Sequence, residues 1–73
     1  MSSQNRARAM RCDAVITGYG DDDAETNLAD LLADAMHWSD YTGRDFHFAL
    51  AQACRHYIHE LNDDQQDERR LIP

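Results

Sequence analysis

The stretch TNLADLLADAMHWSDYTGRDFHFALAQACRHYIHEL, residues 26–61, decides the fold. It contains two segments in which apolar residues recur every three or four positions, the spacing of one face of an α-helix. Only the short segment YTGRD, residues 41–45, joins them. Because so short a link forces two helices to lie side by side in opposite directions, we predict an antiparallel αα-hairpin.

Each predicted helix has one apolar face and recognisable end signals. Thr26 or Asn27 can cap the first helix, Gly43 can end it, and Asp45 can cap the second. The apolar face of the first helix comprises Leu28, Leu31, Leu32, Ala35, Met36, Trp38 and Ser39. The apolar face of the second comprises Phe46, Ala49, Leu50, Ala53, Cys54, Tyr57 and Leu61. We predict that the two faces form the core, with Leu31 opposite Leu50.

The remaining segments are less regular. Residues 7–16 predict a short first helix packed on the hairpin, although the β-branched Val15 and Ile16 weaken it. Residues 1–5 and 62–73 are mostly polar, which predicts frayed or disordered ends. The predicted fold class is therefore all-α, with one domain over residues 1–73. A chain this short has a marginal core, so we also expect self-association.

The charge balance limits the classes of partner. Fourteen acidic residues oppose seven basic ones, all arginine, for a formal net charge of −7. Such a surface repels phosphates and acidic lipids, so we expect neither nucleic acid nor a membrane as a direct partner. The acidity either serves solubility alone or attracts a basic protein surface. The sequence has no long apolar run and no secretion signal, which predicts a cytoplasmic location with Cys12 and Cys54 reduced.

The segment CRHYIHE, residues 54–60, brings a cysteine and two histidines together in sequence. On a helix Cys54 and His59 diverge by about 140°, and zinc needs at least three protein ligands. Cys54 lies on the apolar face, which predicts a buried and inert thiol. The aspartate run 21–23 lacks the ligand pattern of a calcium loop. We therefore expect no metal, no cofactor and no enzymatic activity.

One candidate for protein binding is the polar face of the first hairpin helix. Asp30 and Asp34 stand one turn apart, about 6 Å along the axis, with His37 beside them. This spacing is close to that of successive phosphates in a nucleic acid backbone. The pattern fits a surface that imitates nucleic acid, and it also fits an ordinary solvated face.

A second candidate lies on the second hairpin helix, opposite its apolar face. Phe48, Arg55 and His59 combine an aromatic ring with an arginine, a composition typical of interface hot spots. Either the first helix or the tail covers this side, or another chain does. The simplest other chain is the same helix of a symmetric homodimer.

The motifs DLLAD (30–34), HW (37–38), GRDF (43–46) and HY (56–57) resemble those of small, acidic, uncharacterised helical proteins of bacterial phages, plasmids and other mobile elements. The resemblance covers residues 24–61. It implies a setting in which many small acidic proteins inhibit host defence, among them anti-CRISPR proteins and nucleic acid mimics. The sequence thus favours a non-enzymatic protein-binding module that occupies a basic surface of a host nucleoprotein. The alternative is a small housekeeping or accessory protein that only self-associates.

Overall fold

The computed structural model describes the backbone of residues 1–71 and the side chains of residues 1–62. The described backbone contains three α-helices: α1 (Ser3–Thr17), α2 (Ala24–Thr42) and α3 (Phe46–Leu71). Residues 1–71 include no β-strand. The predicted all-α class is therefore confirmed. In this part of the chain, no helix is both long enough and apolar enough to cross a lipid bilayer.

Helix α1 begins earlier than the sequence pattern predicts. Ser2 is its N-cap, and the Ser2 hydroxyl oxygen accepts a hydrogen bond of 3.0 Å from the backbone N–H of Asn5. Residues 3–5, expected to fray, are therefore helical, because the cap satisfies a donor of the first turn. The helix ends at Gly18, whose N–H donates to the carbonyl of Ala14.

Helix α2 has a well-defined cap at each end. Asp23, rather than the predicted Thr26 or Asn27, is the N-cap, and its carboxylate accepts from the Thr26 N–H at 2.8 Å. Gly43 ends the helix in the left-handed conformation, as predicted, with φ 72°. The Gly43 N–H donates to Asp40 and the Arg44 N–H donates to Ser39, at 3.2 and 2.7 Å. These two bonds define a Schellman motif, which pairs carbonyls that the helix end leaves without partners.

Helix α3 starts directly after this turn. The Asp45 carboxylate accepts a hydrogen bond of 3.1 Å from the Phe48 N–H, so the predicted cap is confirmed. The helical backbone continues to Leu71. The side chains of residues 63–71 and the whole of residues 72–73 lie outside the described residues, so fraying of residues 62–73 stays a prediction.

The three helices form a thin and open arrangement. The molecule measures 51 × 29 × 14 Å, and its radius of gyration is 15.5 Å. A compact domain of this length has a radius of gyration of about 11 Å. The helices are therefore loosely packed: α1 contacts α2, α2 contacts α3, and the start of α1 reaches α3 at Glu60.

The predicted core is not closed within one chain. Among residues 1–62, no hydrophobic side chain is buried, and the buried residues are all polar: Ser2, Asn5, Asn27 and Ser39. Leu31 is half-buried and Leu50 is 47% exposed. The prediction that the apolar faces bury each other was wrong for the single chain, because three loosely packed helices leave part of each apolar face uncovered.

Candidate functional site

Acidic side chains are concentrated at the start of α2 and in the loop before it. We call Asp21, Asp22, Asp23, Glu25, Asp30 and Asp34 the acidic patch. All six residues are exposed. Between Arg11 and Arg44 the chain has eight acidic residues and no basic one. The net negative charge is thus concentrated in this segment, because the six acidic residues after it are accompanied by four arginines.

Tyr19 connects the loop to the middle of α2. Its phenol donates a hydrogen bond to the Asp34 carboxylate. This bond, together with partial burial and the negative charges of Asp34 and Asp30, raises the pKa of Tyr19. One of the predicted binding residues, Asp34, is therefore already oriented by a neighbour within the chain. Sequence reasoning missed Tyr19, because its partner lies fifteen residues away along the chain.

Asn27 on α2 holds the loop between α1 and α2 in place. Its side chain is 3% exposed, and its amide nitrogen donates to the carbonyls of Ile16 at 3.0 Å and Gly20 at 3.3 Å. Its carbonyl oxygen has no hydrogen-bond partner among the described residues. A Cβ added at Gly20 would stand 3.1 Å from that oxygen, which is tighter than most real contacts. The loop that carries part of the acidic patch is therefore held in one position against α2.

Two capping bonds reduce the freedom of Asp23. The backbone N–H and the side chain of Thr26 hydrogen-bond the Asp23 carboxylate and lower its pKa. Asp23 is thus ionised, and its carboxylate is already occupied by contacts within the chain. It bonds Thr26 and interacts with the positive end of the helix dipole. Asp30 makes no described hydrogen bond or ion pair, and His37 is exposed on the same side of α2. Asp30 is therefore the freest of the predicted acidic residues to contact another molecule.

The structure also locates the three residues predicted on α3. Phe48 is 60% exposed, and Arg55 and His59 are exposed as well. Helix α1 does not cover Phe48, so in the single chain this ring lies in solvent. His59 lies at the edge of the α1–α3 junction. The structure thus leaves all three residues accessible but separates the surroundings of His59 from those of Phe48.

The α1–α3 junction is a polar feature that the sequence did not indicate. The Asn5 amide donates to the Glu60 carbonyl at 2.7 Å, and Arg8 pairs with the Glu60 carboxylate at 3.1 Å. Beside these contacts is an open cleft of about 460 Å³, lined by Arg8, Arg11, His56, His59 and Glu60. Basic residues therefore cluster on the α1 side of a strongly acidic molecule. The arginines three positions apart on α1 were the available sequence signal.

The cysteines differ from expectation. Both Cys12 and Cys54 are exposed free thiols, so the prediction of a buried Cys54 was wrong. The reason is the same open arrangement that leaves Leu50 exposed. Among the described side chains, no group of three or more Cys, His, Asp or Glu residues is placed to hold a metal ion.

Comparisons with known proteins give no match among family models, curated proteins or solved structures. The geometry described above is therefore the basis for any functional inference.

Proposed function

We propose that this chain is a non-enzymatic, acidic protein-binding module that works in the cytoplasm as a homodimer. Its target is a basic surface of another protein, of the kind that normally holds nucleic acid. The setting we propose is a mobile element whose product inhibits a host defence nucleoprotein, in the manner of anti-CRISPR proteins or nucleic acid mimics.

The single observation that carries the proposal is the acidic patch. Its carboxylates are exposed, and its loop is anchored by Asn27 and Tyr19. A positioned set of charges loses less conformational entropy on binding than a mobile one. Complementary charge also speeds diffusional encounter with a basic partner. In this proposal Asp30, Asp34 and His37 contact the basic surface through charge.

The exposed residues of α3 supply the second part of the contact. Phe48 offers an aromatic ring with Arg55 on the same side of α3, and His59 offers a separate donor near the α1–α3 junction. Aromatic and arginine side chains contribute a large share of binding energy at protein interfaces. Direct binding of nucleic acid or of a membrane is not part of the proposal, because the net charge of −7 opposes both.

A second candidate function is an accessory protein that only self-associates. The absence of any buried hydrophobic side chain among residues 1–62 favours it, because such a chain gains stability mainly by covering its own apolar faces. The two candidates differ in whether the acidic patch has a target.

A pull-down from the native host, analysed by mass spectrometry, tests the first proposal. The baits are the wild type and an Asp30→Asn/Asp34→Asn variant, and the captured protein is then challenged with nucleic acid. We expect a nucleic acid-binding protein whose capture is weakened in the variant, falls as salt rises and is competed by nucleic acid. Capture that is indifferent to all three changes contradicts the proposal.

A matched control uses single charges. Asp30→Asn and Asp13→Asn each remove one exposed carboxylate, but Asp13 lies on α1, outside the acidic patch. Only Asp30→Asn is expected to slow association. Equal slowing by both variants would show that net charge matters and that the patch does not.

A further inference from the structure

The inversion of polar and apolar burial is the most unusual feature of the molecule. Its buried residues are two serines and two asparagines, whereas thirteen large hydrophobic residues in the described part of the chain are exposed. Removing apolar surface from water is the main driving force for folding. A chain in which this surface stays in water lacks that force, so its apolar faces require a cover.

The exposed area shows how much surface a partner has to bury. The chain exposes 6334 Å², whereas a compact monomer of 8.4 kDa exposes about 4,600 Å². The excess is about 1,700 Å² per chain on this scale. Even half of it equals the area that each partner buries in a standard interface, about 800 Å².

The apolar sides of α2 and α3 show where a partner has to bind. We call Leu28, Leu32 and Met36 on α2, with Leu50, Tyr57 and Leu61 on α3, the apolar stripe. These side chains are 40–62% exposed, and none of them is charged. At 100° per residue they share one side of each helix. Asp30 and Asp34 lie on the other side of α2, and Phe48 and Arg55 lie on the other side of α3.

This arrangement suits a second copy of the same chain. An uncharged apolar surface is complementary to itself, which a two-fold symmetric interface requires. Two chains of charge −7 repel each other, so their contact has to keep the carboxylates apart. Pairing through the apolar stripe does this, because it leaves the acidic patch on the outer side of α2.

We infer that the apolar stripe is the interface of an obligate homodimer in which the apolar sides of two chains bury each other. A stripe that the chain needs in order to stay folded has to be covered at all times. A second copy is always present when the chain is made, whereas a target protein is not. This inference does not rest on the proposed target of the acidic patch, and it leaves Phe48, Arg55 and Asp30 free to contact that target.

Sedimentation equilibrium combined with thiol labelling tests the inference. Cys54 lies on the stripe side of α3 and Cys12 lies on α1, and both thiols are exposed in the single chain. The Cys12→Ser variant keeps only the Cys54 thiol, and the Cys54→Ser variant keeps only the Cys12 thiol. We expect twice the chain mass of 8.4 kDa. We also expect Cys54 to react with a thiol reagent about tenfold more slowly than Cys12 once nine-tenths of the chains are paired.

A matched pair of substitutions on α3 provides the second arm. Leu50→Arg places a charge in the stripe, and Phe48→Arg places the same charge on the opposite side. We expect Leu50→Arg to abolish the dimer and to leave either a monomer or an unfolded chain. We expect Phe48→Arg to leave the dimer mass unchanged. If dilution of the wild type causes the dimer to dissociate and the helices to unfold together, this also supports the inference.

Three results overturn it. The first is a helical monomer at every concentration, whether Cys54 is reactive or protected by the chain itself. The second is a dimer in which Cys54 reacts as fast as Cys12, or in which Phe48→Arg rather than Leu50→Arg breaks the pairing. The third is a mass of three or more chains. None of these results affects the test of the acidic patch, which depends on Asp30 and salt.

Discussion

Gly43 shows how a single residue sets the path of the chain. It has the one positive φ among the described residues, 72°, and it closes the Schellman motif that ends α2. No atom lies within 4 Å of a Cβ added there, so a substitution meets backbone strain without a steric clash. We predict that Gly43→Ala lowers the free energy of unfolding by about 1 kcal/mol, measured by urea denaturation at fixed chain concentration.

Gly18 is the matched control for this prediction. Its φ is −88°, and a Cβ there would meet the Ala14 carbonyl at an ordinary 3.6 Å. Gly18→Ala should therefore leave stability unchanged or raise it by up to about 1 kcal/mol. Equal losses for the two variants would contradict the conformational explanation.

Tyr19 gives a prediction on pH at the same scale. The hydrogen bond to Asp34 favours the neutral phenol, so the pKa of Tyr19 is raised above that of the unfolded chain. The bond therefore stabilises the fold below the ordinary tyrosine value of about 10 and is lost as the pH rises through the raised value. In an ultraviolet titration, the phenolate component that disappears in Tyr19→Phe should titrate above that ordinary value.

Asp34→Asn tests the cause of this shift. It removes the anionic acceptor, so the pKa of Tyr19 should fall towards the ordinary value. An unchanged titration in Asp34→Asn would show that the contact between the loop and α2 is absent in solution.

Among the elements, the attachment of α1 depends on a few polar contacts. Asn5 is buried, donates to the Glu60 carbonyl and accepts from the Arg8 guanidinium. We predict that Asn5→Ala costs about 1–3 kcal/mol, because it leaves polar groups at the junction without partners. Gln4→Ala, at an exposed neighbouring position on the same helix, should stay within about 0.5 kcal/mol. Equal urea unfolding curves for both variants would mean that this junction does not hold α1.

The elements also show what the sequence can predict. Asp45 and Gly43 were predictable because a cap depends on residues only a few positions apart. The start of α1 was not, because Asn5 reaches Glu60 across 55 positions. Likewise, the helical spacing identified Asp30, Asp34 and Phe48 as exposed candidates. It could not indicate Tyr19 beside Asp34, since that contact depends on how the loop folds back.

For the whole molecule, the limit of sequence reasoning is the core. Helical spacing identifies which side of α2 and α3 is apolar, but it does not tell what lies against that side. The pattern predicted that Leu31, Leu50 and Cys54 would be buried by the hairpin itself. The open arrangement of the helices leaves Leu50 and Cys54 exposed. In the dimer that we infer, these residues are buried by contact between chains.

The thermal unfolding midpoint at different chain concentrations tests this account most directly. If the folded unit is a dimer, mass action stabilises it as concentration rises. With an unfolding enthalpy of about 0.7 kcal/mol per residue over two chains, a hundredfold rise should increase Tm by about 10 °C, followed by circular dichroism. A fully helical protein whose Tm stays the same across that range would contradict the claim that a second copy covers the apolar stripe.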